Sequence, residues 1–377
     1  MSWHPAVCIR STESMSSAFF LRVADIARLL PCLTDRYEFL DARPIGRPSG
    51  FGAVWRARDR LLDQTVAIKI SDSDLRSEVQ YCRMIDGHTV RVYDYFEQND
   101  WYAYAMELLA EPWTTIDTLI ARHDGHDMLQ RYLDGFEILD ATLAALAQIH
   151  GAPYSRERRH VHADIQPRNL FVWWQPETSP REVFRLRDGG KLVKVIDLGL
   201  TVDRGERHEG LHPLYALPGR DVAHHGHDLY SVALVFLELI TGARPSHHTM
   251  GHGARITGHV DAHSSGSVAI DCMAAEIANR AARAGANAAL TAGRLREELA
   301  CSVFDLPPLH LLVLRELARY QPGPLKKSEM AEFLFPMYAE YHGWKNASSN
   351  RTAAIQEDVL DMAEAGLLFR DGHRYRY

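Results

Sequence analysis

The chain has 377 residues, 46% of them hydrophobic and 24% charged, with a formal net charge of -7. This describes a soluble globular protein of two or three domains whose core needs no covalent staples. The acidic balance argues against chain-wide affinity for nucleic acid or anionic membrane. It points to protein or small-molecule partners and leaves room only for a local basic patch. The scattered cysteines, Cys8, Cys32, Cys82, Cys272 and Cys301, form no CxxC pair and suit a reducing compartment. The longest apolar stretch, "YSVALVFLELITGA", is interrupted by Glu238 and falls short of the about 20 apolar residues that a membrane span needs. Asp25 and nearby arginines break the only candidate leader, so a cytoplasmic protein without a signal peptide is expected.

In chain order, Phe19, Val23, Ile26 and Leu30 alternate at spacings of four and three. They predict one amphipathic helix over 15–31, closed by Pro31 and packed on the domain that follows. From Tyr37 to Leu109, short β-rich runs ("FGAVWRARD", "TVAIKI", "RVYDYFEQ", "WYAYAMELL") predict a small antiparallel sheet with one helix inserted at 74–86. After Pro112 the pattern turns helical. Phe136, Leu139, Leu143 and Leu146 line one helix face, and 228–241 is apolar almost all round, as a buried central helix would be. Between these helices lie the strand-like runs "NLFVWW" and "KLVKVIDLG", separated by a polar insertion at 175–190. Residues 246–268, rich in His, Gly and Ser, predict a surface loop. The histidines of "HHGHD" and "HHTMGHG" lack metal-site spacing and are expected to lie in loops. "AAEIANRAARAGANAALTAGRLREELA" then returns to helix.

Two stretches carry chemistry. In "IGRPSGFGAV" the glycines Gly50 and Gly52 let backbone N–H groups approach an anion, and Val54 would cover a base. Lys69 of "VAIK" stands between Ile68 and Ile70 on an apolar strand and so needs an anionic partner.

Lys69, Glu78, the "MEL" of 106–108, Asp164 and Asn169 in "HADIQPRN", Asp197 in "IDLG" and Asp228 in "HDLYSVALVFLELITGARP" occur in one order. That order resembles the eukaryotic-like (Hanks-type) serine/threonine protein kinases over roughly residues 36 to 300. The resemblance implies an α+β, bilobal protein-kinase fold. An N-terminal extension would occupy 1–35, a β-rich lobe 36–108 and a mainly helical lobe 109–300, with a further domain over 301–377. It implies ATP with Mg2+, or Mn2+ in its place, and a protein substrate that could be the chain itself. Gly46, Ser49, Gly50, Gly52, Val54, Ala67, Met106, Glu107 and Leu108 would line the nucleotide site, with Met106 as gatekeeper and Glu107 and Leu108 as hinge. Lys69, oriented by Glu78, would hold the α/β-phosphates. Asp197 and Asn169 would bind the metal, Asp164 would take the acceptor's proton, and Asp228 would anchor the catalytic loop.

The chain departs from that family at several positions. Ser49 replaces a glycine, and Pro48 is inserted. The helix carrying Glu78 starts unusually soon after Lys69. Ala163 stands where regulated kinases place an arginine, and Gly219 where a glutamate ties down the preceding segment, 198–219, whose only hydroxyl residues are Thr201 and Tyr215. Gln166 replaces a catalytic-loop lysine, and Arg168 is either its substitute at another position or a surface arginine. "HADIQPRN" also resembles the loop of aminoglycoside and choline phosphotransferases. A small-molecule phosphotransferase and a non-catalytic pseudokinase therefore stand as the other readings.

Residues 309–377 resemble a winged helix-turn-helix module with a hairpin turning at Asp371-Gly372. Its third helix carries Glu357, Asp358, Asp361 and Glu364, charges that repel phosphates. Protein contact or self-association is therefore expected of it. Arg370, Arg374 and Arg376 are the residues that would serve a nucleic acid.

Overall fold

The computed structural model describes residues 18, 21–49, 52–85, 87–122, 128–151, 160–174, 193–207, 212–219, 222–284, 290–300, 306–320 and 322–376. It divides into two compact units, Met1–Ala110 and Glu111–Tyr377. Among the described residues no helix is long and apolar enough to cross a membrane.

The first unit opens with helices α1 (Val23–Leu29) and α2 (Pro31–Arg36). Helix α1 ends at Leu29, just ahead of Pro31 as expected, and Pro31 also opens a second helix beyond the expected range. Leu30 leaves helical geometry, and Pro31 takes the first helical position, where its missing N–H costs nothing. Phe19 lies outside the described residues. The strands β1 (Tyr37–Phe39), β2 (Ile45–Ser49), β3 (Gly52–Asp59) and β4 (Gln64–Ser71) follow. Helix α3 (Arg76–Met84) then precedes β5 (Val92–Gln98) and β6 (Trp101–Glu107). The six-stranded sheet runs β1-β3-β4-β6-β5 with β2 on β3, all antiparallel.

Alternation along these strands gives the sheet two different faces. Trp55 and Ala57 of β3, Val66, Ile68 and Ile70 of β4 and Ala103 and Ala105 of β6 share a core with Ile26, Leu30 and Leu33 of α1 and α2. The residues between them, Val54, Lys69 and Tyr104, stand opposite one another in register, as do Ala67 and Met106. They face the other way, toward the side where α3 supplies Glu78. The helical cover of one face leaves the other to the predicted nucleotide residues.

The second unit begins with β7 (Trp113–Thr115), α4 (Ile116–Arg122), the long α5 (Met128–His150), β8 (His160–Val161), β9 (Leu170–Trp173), β10 (Val193–Val195) and β11 (Val202–Asp203). Helix α6 (His225–Thr241) is buried along almost its whole length, as its all-round apolarity predicts, and packs on α5. The two helices approach so closely at Gly135 that a Cβ there would lie 2.2 Å from Ile240 Cγ2.

The expected loop over 246–268 is instead mostly helical, with α7 (His247–Met250) and α8 (Gly253–Asp261). Ser246 caps α7 by accepting from the Thr249 N–H at 3.2 Å, and α8 buries only Ile256 and Val260. One pair of apolar residues is too thin a stripe to register as periodicity, and capping and tertiary packing supply the rest. The "HHGHD" histidines are not loop residues either. His224 caps α6, accepting from the Gly226 N–H at 3.1 Å, and His225 and His227 are buried in its first turn.

Helices α9 (Val268–Arg283) and α10 (Ala292–Ala300) complete the helical body. The remainder comprises α11 (Pro308–Tyr320), β12 (Leu325–Lys326), α12 (Lys327–His342), α13 (Ser349–Glu364), β13 (Phe369–Asp371) and β14 (Arg374–Arg376). Its three strands form a sheet of order β12-β14-β13, and Tyr375 is buried beneath it. Helix α11 rests against α5, and Ser267 Oγ donates to the Leu367 carbonyl at 3.4 Å.

Candidate active site

In the first unit, Lys69 sits on the β4 face that meets α3 and is 5% exposed; Glu78, in the first turn of α3, is 3% exposed. Lys69 Nζ donates to Glu78 Oε1 and Oε2 at 2.8 and 2.9 Å, and the Tyr104 hydroxyl donates to Oε1 at 2.8 Å. The early start of the helix therefore does not prevent the pairing. Two buried charges neutralise each other here, and an extra donor holds the carboxylate. Gly52 has φ +118°, and a Cβ there would lie 2.5 Å from the Ile70 carbonyl oxygen. The hairpin itself thus demands that glycine, whatever lies above it. Gly46 and Ser49 belong to β2, and Gly50 lies outside the described residues. Met106 and Glu107 end β6. The Glu107 N–H donates to the Arg91 carbonyl at 2.9 Å, and its carboxylate accepts from the Arg91 N–H at 3.2 Å; Leu108 follows, partly exposed.

In the second unit the loop after β8 is built around Asp228 of α6. Its carboxylate accepts from the N–H groups of His162 (2.8 Å) and Ala163 (2.9 Å) and meets His150 Nε2 at 2.9 Å. Burial alone would raise the Asp228 pKa, but these hydrogen bonds and the nearby His150 and His162 outweigh it and hold the group below the ordinary carboxylate value. Ala163 has φ +67°, a strained position that Asp228 fixes directly. His162 Nδ1 accepts from the Asp164 N–H at 3.2 Å, so its Nε2 carries the proton toward the Ile196 carbonyl, 3.2 Å away.

Asp164 is 8% exposed. Gln166 Nε2 donates to both its oxygens, at 2.9 and 2.8 Å, and Asn169 Nδ2 donates to Oδ2 at 2.7 Å and to the Asp164 carbonyl at 3.0 Å. Burial, with a smaller contribution from Asp197, pushes the Asp164 pKa up to about 6 against the pull of His162 and the two amides. Arg168 does not reach Asp164. Its Nε donates to Gln166 Oε1 at 2.7 Å, and its Nη2 meets His212 Nε2 at 3.0 Å.

The β9–β10 pairing sets Val195 opposite Leu170, and the Ile196 N–H donates to the Asn169 carbonyl at 2.9 Å. Asp197 follows at once, in left-handed geometry with φ 60°. With its nitrogen committed to Asp164, Asn169 has Oδ1 as its remaining side-chain acceptor, and Asp197 lies near enough to Asp164 for its charge to act on that carboxylate. Among the described residues no cluster of three or more His, Cys, Asp or Glu forms a metal cage. Hard oxygen donors few in number fit a magnesium ion that takes its other ligands from phosphate and water.

Serine/threonine-protein kinase PrkC of Bacillus subtilis is 27% identical to this chain over 235 residues, 56% of the chain and 31% of that protein. Serine/threonine-protein kinase pkn3 of Myxococcus xanthus is likewise 27% identical over 235 residues, 56% of the chain and 39% of that protein. The likeness is to serine/threonine protein kinases. The matched region spans a third or so of the length of these relatives. Aurora kinase B of Danio rerio is 25% identical over 234 residues, 56% of the chain and 64% of that protein. No protein-family model matches.

The structural roles of two residues, Tyr104 and Tyr215, escaped the sequence. Tyr104, which braces Glu78, reads as one aromatic of a strand. Tyr215, 7% exposed, carries no motif, yet its hydroxyl donates to Glu238 at 2.6 Å, its carbonyl accepts from Ser231 Oγ at 2.9 Å and Arg244 lies over its ring. It ties down the segment that lacks a glutamate at Gly219.

Proposed function

We propose that the chain is an ATP- and magnesium-dependent protein kinase that transfers the γ-phosphate to a serine or threonine hydroxyl of a protein, itself included. The observation that carries this reading is the buried Lys69–Glu78 pair between the sheet and α3. Such a lysine is costly to bury and is held ready for an anion. The relatives' descriptions and the hydrogen-bonded Asp164 and Asn169 support the same reading.

In this reading Lys69 holds the α/β-phosphates, and Val54, Ala67, Met106, Glu107 and Leu108 line the adenine site. Asn169 and Asp197 hold the magnesium, which would supply charge neutralisation on the phosphates. Asp164 orients the acceptor hydroxyl and takes its proton, and Asp228 keeps the loop in register through the His162 and Ala163 N–H groups. Transfer of labelled phosphate from ATP to the chain or to a generic protein substrate is expected, and Asp197→Ala and Lys69→Met should each abolish it. No transfer by the folded wild-type chain with magnesium or manganese, across several substrates, would favour a pseudokinase that serves as a scaffold.

We read the C-terminal elements as a winged-helix-like module and assign them to protein contact. Burial raises the pKa of Tyr338, and the charge of nearby Asp358 on α13 adds to that rise. Glu357, Asp361 and Glu364 are exposed on the same helix. Salt-resistant binding of DNA by the full chain, lost with Arg374→Ala and Arg376→Ala, would overturn that assignment.

A further inference from the structure

The geometry points to Arg168 as a positioning residue that acts on Asp164 through Gln166, by fixing which end of the Gln166 amide faces the carboxylate. A glutamine amide has one oxygen end and one nitrogen end of nearly the same shape, so packing alone does not choose between them. Turned one way, Gln166 gives Asp164 a donor; turned the other, it sets an oxygen against a carboxylate. A guanidinium can only donate. By holding Oε1 from outside at 2.7 Å, Arg168 leaves Nε2 as the end that meets both Asp164 oxygens, at 2.9 and 2.8 Å.

Arg168 is itself held. Its Nη2 donates to His212 Nε2 at 3.0 Å, and the His212 ring lies against Tyr215, which is fastened to α6 through Glu238. The relay therefore runs from α6 through the 212–215 turn to the Asp164 carboxylate. It also explains how a loop without a lysine at position 166 keeps a donor on its acid. A lysine presents only donors and needs no outside choice, whereas a glutamine does. The catalytic consequence rests on the kinase reading above; the choice of amide orientation does not.

The experiment has two arms on the full chain. In the first, the chain is labelled with 15N-glutamine, and the Gln166 side-chain amide signal is assigned by its loss in Gln166→Met. Arg168→Ala should shift and broaden that signal while the other glutamine amides stay in place. Arg168 is exposed, so the fold should survive, and the unshifted amides check that it has. In the second, Arg168→Ala and Gln166→Met should each lower kcat about tenfold with the KM for ATP unchanged, and the double variant should fall no lower than Gln166→Met alone. Arg168→Lys should recover part of the loss, since its ammonium can also donate to Oε1. An unmoved Gln166 signal in Arg168→Ala would overturn the proposal. So would a double variant about a hundredfold down, because Arg168 would then act directly on the transferred group. If the wild-type chain transfers no phosphate, the kinase reading fails, and the amide signal alone decides whether Arg168 sets Gln166.

Discussion

Each unit buries a charged side chain, and the two keep it by different means. Lys69 is met by a full opposite charge on Glu78, whereas Asp164 is surrounded by the neutral amides of Gln166 and Asn169. An ion pair fails all at once when one partner goes, because the survivor is stranded in an apolar setting. A carboxylate held by amide donors loses its support one hydrogen bond at a time. The first arrangement makes a rigid post and the second an adjustable one, which would suit the proton-accepting role proposed for Asp164.

The contrast can be broken experimentally, beginning with its strongest limb. Glu78→Ala should cost about 3–5 kcal/mol in urea unfolding of the chain, because Lys69 is left buried and unpaired. Changing both partners to apolar residues, Lys69→Met with Glu78→Leu, should restore most of that stability while leaving phosphate transfer absent. If the double variant is as unstable as Glu78→Ala, the pair is not what holds this face. Asp228→Ala, which orphans the His162 and Ala163 N–H groups and His150, should cost about 3 kcal/mol and slow phosphate transfer through disorder of the Asp164 loop. Asn169→Ala removes one charge-assisted hydrogen bond from Asp164 and should cost only about 1.5 kcal/mol, while weakening magnesium-dependent nucleotide binding measured by calorimetry. Tyr104→Phe, which deletes only the brace on Glu78, should cost about 1 kcal/mol, with binding of ATP nearly unchanged. A larger effect for Asn169→Ala than for Glu78→Ala would reverse the comparison.

The sequence made one kind of information easy to read. Strand alternation in "AVWRARD" and "TVAIKI" separates core from outward residues, and the spacing from Lys69 to Glu78 to Asp164 to Asp197 survives as order along the chain. What it hid is pairwise and non-local. The end of Gln166 that faces Asp164 is decided by Arg168 and indirectly by Tyr215, and no spacing rule encodes an amide's orientation. Pro31 is legible as the stop of α1 but not as the start of α2, because one proline can serve as both. The helices within 246–268 were missed for want of a stripe, since Ile256 and Val260 are all that α8 buries. The reason Gly52 must be glycine was half legible. A backbone approach was expected, but the approach visible here is to Ile70, within the hairpin.

The cover that α1 and α2 give one sheet face has a practical side. A chain trimmed to begin at Tyr37, where the kinase-like pattern starts, would leave Trp55, Ile68 and Ile70 open to water as a flat apolar strip on a β-sheet. Such strips recruit other chains. Aggregation of a shortened protein during expression would then reflect a missing lid over the sheet and would say nothing about the face that carries Lys69.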